Sequence, residues 1–381
     1  MIIVIIIMGS CVSCSDVPII YHMPINEGLD YVRSTMTSLK KRSDFTTEAG
    51  EHELMFVRDC LHHHKEKFRG HDFNAEEPER RYVETMIDLG LVNDIVRITR
   101  AHMPAADRGG RRSIRCIDLC LNIIIKSTIF PKGFEQIKEA KYHADLCKLL
   151  DLASFHPRKN DNYATKDGDE FYDSDGYLDE HKLLEYKLQR ERQSVAHLSL
   201  IILFILTQRF ELRDEYRSIG AVRILDTYRK CADASLKRFG LLTFACVVTE
   251  RDGDLMLLTD QAFSDLKVLL KRILEGKIGT TTSWSRHLKP DKIVDALNRL
   301  AVSDANKLKL AKLDFIPIYV SMLKHGASTE KELESVTKAL WMLAFKVKDK
   351  LKSTPDCMDG EPILNFHICL KSLTRSLRKN M

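Results

Sequence analysis

The chain of 381 residues reads as all-α, built from repeated groups of helices. Apolar residues recur three and four apart through most of its length and do not alternate as a half-buried strand requires. Its 10 prolines and 17 glycines are few, which leaves long stretches free for helices. Two stretches also share one pattern, Ala296-Leu297-Asn298-Arg299-Leu300-Ala301 and Ala339-Leu340-Trp341-Met342-Leu343-Ala344, 43 residues apart. That spacing falls within the roughly 40–47 residues of helical solenoid repeats.

Composition narrows the function. Apolar residues make up 44% and charged residues 30%, as in a globular chain. Lys and Arg (59) exceed Asp and Glu (54) by five, too few to imply nucleic-acid binding. The longest apolar run, 198–206, is about half of a bilayer span and reads as a buried helix. Of 10 cysteines, Cys116, Cys120, Cys147, Cys231 and Cys246 sit in apolar helical stretches. There they act as small hydrophobes rather than a disulfide scaffold, so a reduced, intracellular body is expected.

The first 29 residues form a tail with a choice of targeting signals. Residues 1–15 have the short apolar core of a signal peptide but no basic residue before it and no clean small-x-small site. If translation starts at Met8, Met8-Gly9-Ser10-Cys11-Val12-Ser13 fits the N-myristoylation pattern. Cys11 and Cys14 are then neighbouring palmitoylation candidates. One myristoyl chain binds membranes only weakly, so a second acyl chain is what would hold.

The main body is expected over 30–355. Residues 30–68 look helical, with Lys40-Lys41-Arg42 at an exposed turn. Consecutive histidines His62-His63-His64 point about 100° apart on a helix, so no metal site is expected there. Ile87-Asp88-Leu89-Gly90-Leu91-Val92 opens a helix, and 114–125 forms the next, carrying Asn122. After the apolar helix comes Ser218-Ile219-Gly220-Ala221-Val222, then helices over 236–248 and 263–274. Asp314-Phe315-Ile316-Pro317 opens a further helix, with Gly326 beyond its end, and 335–345 follows. Two insertions interrupt the body: an acidic one over 159–181 and a Gly/Thr/Ser-rich loop over 276–289. Asp173-Ser174-Asp175-Gly176 has part of a calcium-loop pattern, but Phe171 and Lys182 fall where two ligands belong, so a solvated acidic loop is expected. Residues 356–381 supply a capping helix over 363–377 with a basic end.

The two A-L-x-x-L-A stretches resemble the core of armadillo repeats, and Asp314-Phe315-Ile316-Pro317 with Val320 and Leu323 resembles the helix that follows it. The 87–98 and 218–225 stretches are further copies, giving five or six repeats. The resemblance implies an armadillo/HEAT-like right-handed superhelical solenoid whose concave surface binds a protein partner. Its groove asparagines point to Asn122 and Asn298 as candidates. Trp341 either lines that groove or packs on the next helix. Arg299 and Met342 stand where the family's regular asparagines would sit, which weakens a nuclear-transport role. The Met-Gly-Ser-Cys-x-Ser-Cys opening is similar to that of an acylated armadillo protein of the yeast vacuole membrane.

The sequence has no phosphate-binding glycine loop, G-x-S-x-G elbow, H-E-x-x-H or paired Cys-x-x-Cys. No catalysis, cofactor, metal or small-molecule substrate is expected. The leading expectation is a scaffold or adaptor tethered to a cytoplasmic membrane face through Gly9, Cys11 and Cys14. The alternatives are a soluble cytosolic or, with a signal peptide, a secreted protein. In function, the alternative is the regulatory armadillo region of a TIR- or kinase-type signalling protein lacking its effector domain, the effector being lost or supplied separately.

Overall fold

The computed structural model describes residues 24–67, 78–152, 155, 180–208, 213–276, 288–324 and 329–344. Gly9, Cys11 and Cys14, most of both insertions, and the C-terminal helix expected over 363–377 lie outside these residues. The regular elements among the described residues are all helices, with no β-strand among them. They form two compact units that divide between Ile202 and Leu203.

Unit 1 holds α1 (Ile25–Lys41), α2 (Glu48–Lys67), α3 (Pro78–Asp88), α4 (Leu91–Asp107), α5 (Arg111–Ser127), α6 (Pro131–Glu139), α7 (Tyr142–Asp151) and most of α8 (Glu180–Thr207). Here α4 and α2 both pack on α5, and α1 packs on α3. The burial follows the helical period: Ile114, Ile117, Leu121, Ile124 and Ile125 of α5 are all buried. Buried Tyr142 donates to Thr99 Oγ1 at 3.0 Å, and Arg100 donates to Asp145 and to the Ala140 carbonyl, joining α4 to α6 and α7.

Unit 2 holds the end of α8, then α9 (Arg213–Ser218), α10 (Ala221–Tyr228), α11 (Ala234–Val247), a 3-10 turn (Glu250–Met256), α12 (Asp260–Leu274), α13 (Pro290–Leu300), α14 (Asp304–Lys312), α15 (Phe315–Lys324) and α16 (Glu330–Ala344). Helix α11 packs on α13, and α13 on α16. The shared pattern lies at these contacts: Ala296, Leu297, Leu300 and Ala301 are buried, and so are Ala339, Leu340 and Leu343. Buried Asn306 donates to the Met256 and Leu300 carbonyls at 3.0 and 2.9 Å, fixing the start of α14.

One local geometry recurs four times among the described residues. Helices α3, α6, α9 and α14 each end in a two-residue link, Leu89-Gly90, Ala140-Lys141, Ile219-Gly220 and Leu313-Asp314. The second residue is left-handed each time, with φ of 91°, 52°, 74° and 57°. Its N–H donates three residues back, to Ile87, Lys138, Arg217 and Ala311, and the residue before it donates four back. This closes the preceding helix and turns the chain directly into the next. The first two residues after each link are buried: Leu91 and Val92, Tyr142 and His143, Ala221 and Val222, Phe315 and Ile316. Gly90, Gly220 and Asp314 fall in stretches that the sequence pattern matches; Lys141 does not.

Cys60, Cys116, Cys120, Cys147 and Cys246 are buried in helices, and burial pushes the Cys147 thiol up to about 12. Cys231 differs from expectation: it is half-buried in the turn after α10, because α10 ends at Tyr228.

Candidate functional site

Unit 2 contains a cleft of about 860 Å³ whose walls are α13, α16 and the connection from α11 into the 3-10 turn. Each helical wall contributes one stripe: Lys292, Asp295 and Arg299 follow from α13, with Val302 in the turn just past its end, and Lys331, Ser335, Lys338 and Met342 from α16. Steps of three, four and seven residues return to the same face of a helix, so these side chains line up along the opening.

Much of the lining is held by the fold. Ser335 Oγ donates to Asp295 Oδ1 at 2.7 Å. Asn298, 5% exposed, donates through Nδ2 to the Ser335 carbonyl at 2.9 Å. These two bonds clamp α16 to α13 at the floor. Arg299 Nη1 donates to the carbonyls of Thr207 (3.4 Å) and Cys246 (3.2 Å), meeting the unpaired acceptors that close α8 and α11. On the third wall Arg217 pairs with Asp252 at 2.6 Å and also donates to Thr249 Oγ1. Asp252 in turn accepts from the Thr249 backbone N–H at 2.7 Å, a capping box that starts the 3-10 turn.

Other lining groups stand exposed at the mouth. Lys331, Lys338 and Arg251 are exposed, as are Asp214, Glu250 and Glu334, and none of the six forms an ion pair among the described residues. The cleft therefore offers alternating charge of both signs over an apolar patch of Val248, Met256, Val302 and Met342. Such a surface suits an extended chain with polar backbone and mixed side chains.

The three groove candidates have different local surroundings. Asn298 reaches the cleft, but its amide is spent on the Ser335 carbonyl. Trp341 is 48% exposed and lies outside the lining, one helical step from Met342. Asn122 belongs to unit 1, where its Nδ2 donates within α5 to the Asp118 carbonyl (2.9 Å) and Oδ2 (3.3 Å). Arg299 and Met342 are both in the lining. Nothing in the sequence pattern singles out Lys331, Lys338 or Arg251; exposed charges on a helix are the default. The Thr249-x-x-Asp252 spacing is the one cue to that wall.

Among the described residues no group of three or more His, Cys, Asp and Glu could hold a metal ion. Among them, too, no helix is long and apolar enough to cross a membrane. No family model, curated protein or solved structure matches the chain.

Proposed function

We propose that this chain is a non-catalytic protein-binding scaffold of armadillo-like repeats, whose unit 2 cleft takes an extended segment of a partner protein. The observation that carries the reading is the fourfold recurrence of helix, left-handed two-residue link and helix. In three of the four copies a further helix of 17, 14 or 15 residues follows within a few residues (α5, α11 and α16), as in a three-helix repeat. The side-by-side packing of α11, α13 and α16 supports it too, since stacked third helices are what give such arrays a binding surface. In the lining, Arg299 and Met342 occupy the repeat positions that face a partner in this family, and they replace its asparagines. The recognition therefore differs from an asparagine ladder reading a peptide backbone. Here the fold uses Asn298 and Arg299 to hold its own helices, and the exposed Arg251, Lys331, Lys338 and Glu334 meet the partner. In this reading the tail tethers the scaffold to a cytoplasmic membrane face through acylation of Gly9, Cys11 and Cys14.

The test is selection of binding peptides from a displayed library against the full chain, followed by affinities for two variants. The double variant Lys331→Glu/Lys338→Glu should weaken selected peptides by at least about tenfold, one to two desolvated charge contacts. A surface control, Lys312→Glu on α14, should leave them unchanged. Selected peptides indifferent to the α16 reversal would move the site elsewhere, and an empty selection would remove the binding function.

A further inference from the structure

The turn between α1 and α2 carries a feature that partner binding does not use. Lys40 and Lys41 are exposed in the last turn of α1, and the chain leaves the helix at Arg42 in an extended conformation (φ −75°, ψ 132°). Ser43 and Asp44 follow, both exposed, before the backbone returns to the core at buried Phe45. The hydroxyls nearest in the chain are engaged: Thr37 donates to the Arg33 carbonyl, Ser38 to Glu53 at 2.6 Å, Thr46 to Asp44 at 2.7 Å and Thr47 to the Asp44 carbonyl at 3.5 Å. The Ser43 hydroxyl has no partner among the described residues.

We propose that Ser43 is a phosphoacceptor site for a basophilic serine/threonine kinase. Such enzymes read positive charge in the residues just before the acceptor, and here those are Lys40, Lys41 and Arg42. Arg42 is committed to Glu53, with Nε and Nη2 at 2.9 and 2.8 Å from its oxygens, so the two lysines are the charges free to be read. In the transfer the Ser43 oxygen forms a bond to the γ-phosphorus of ATP as the bridging bond to ADP breaks. The hydroxyl proton goes to the kinase's base. The fold then holds cations beside the new dianion. Arg97 already reaches this turn, donating to the Arg42 carbonyl at 3.3 Å and the Leu39 carbonyl at 2.9 Å, and its side chain is exposed enough to turn toward a phosphate.

The experiment incubates the purified full chain with the catalytic subunit of cyclic-AMP-dependent protein kinase and magnesium ATP, and locates phosphate by tandem mass spectrometry. Ser43 should be the dominant site, and Ser43→Ala should abolish that incorporation. Lys40→Ala/Lys41→Ala should cut the initial rate by about tenfold with an unchanged circular dichroism spectrum. Phosphate placed on other residues with Ser43 bare would overturn the proposal, as would a double-lysine variant modified at the original rate. So would an unmodified folded chain beside a readily modified 37–48 peptide, because the fold would then be withholding the site.

Discussion

Gly90 and Gly220 adopt their left-handed conformation with open space where a Cβ would stand, so substitution there probes backbone strain alone. Ala at either position should cost about 1 kcal/mol, the left-handed penalty less the entropy gained in the unfolded chain. Lys141 occupies the same place in its own link and already carries that strain, so Lys141→Gly should act in the opposite direction. Urea unfolding of the three variants reads both signs, and equal signs would mean the links are not equivalent. Asp118 offers a second residue-scale test. Burial, with Glu191 of α8 beside it, pushes its carboxyl up to about 6, against the pull of Arg58 of α2, Arg115 and the Ser194 hydroxyl, which donates to it at 2.5 Å. The folded state thus holds a proton that the unfolded state has released between about pH 4 and about pH 6, and stability contributed by this group falls as pH rises through that window. Asp118→Asn should flatten that slope and raise stability at neutral pH. A slope unchanged in the variant would assign the proton elsewhere.

At the scale of elements, the stack of α11, α13 and α16 depends on the leucines of the shared pattern. Leu300 and Leu343 are almost completely buried, so replacing either with Ala should cost about 2–5 kcal/mol in denaturant unfolding. A cost below about 1 kcal/mol would mean these helices do not pack through that face. These same leucines show why the helices were legible: burial enforces a period of three and four, and that period is written in residue type. The links were legible only where the left-handed residue was Gly or stood before a recognisable apolar run, as at Asp314. Lys141 was invisible, because nothing in a lysine announces a positive φ. The cleft was less legible still. Asn298 reads as a groove residue by position, yet its partner is the Ser335 carbonyl, and the neighbouring Arg299 is spent on the carbonyls of Thr207 and Cys246, all distant in sequence. Lys331 and Lys338 look like any solvated helix face until α13 is placed opposite them.

At the scale of the whole molecule, the scaffold reading joins a binding surface to a membrane tether. If Gly9 carries myristate and Cys11 or Cys14 palmitate, two chains give long residence where one gives transient contact. Gly9→Ala should then release the protein into the soluble fraction, and the Cys11→Ser/Cys14→Ser double variant should exchange rapidly on and off membranes. A Gly9→Ala variant that stays on membranes would contradict the tether while leaving the cleft untouched. The cleft itself is read most directly by hydrogen–deuterium exchange of the full chain with and without a selected peptide. The account predicts slowed exchange in 249–256, 290–300 and 330–344, the three walls, with unit 1 unchanged. Protection confined to unit 1, or absent from α13 and α16, would contradict it.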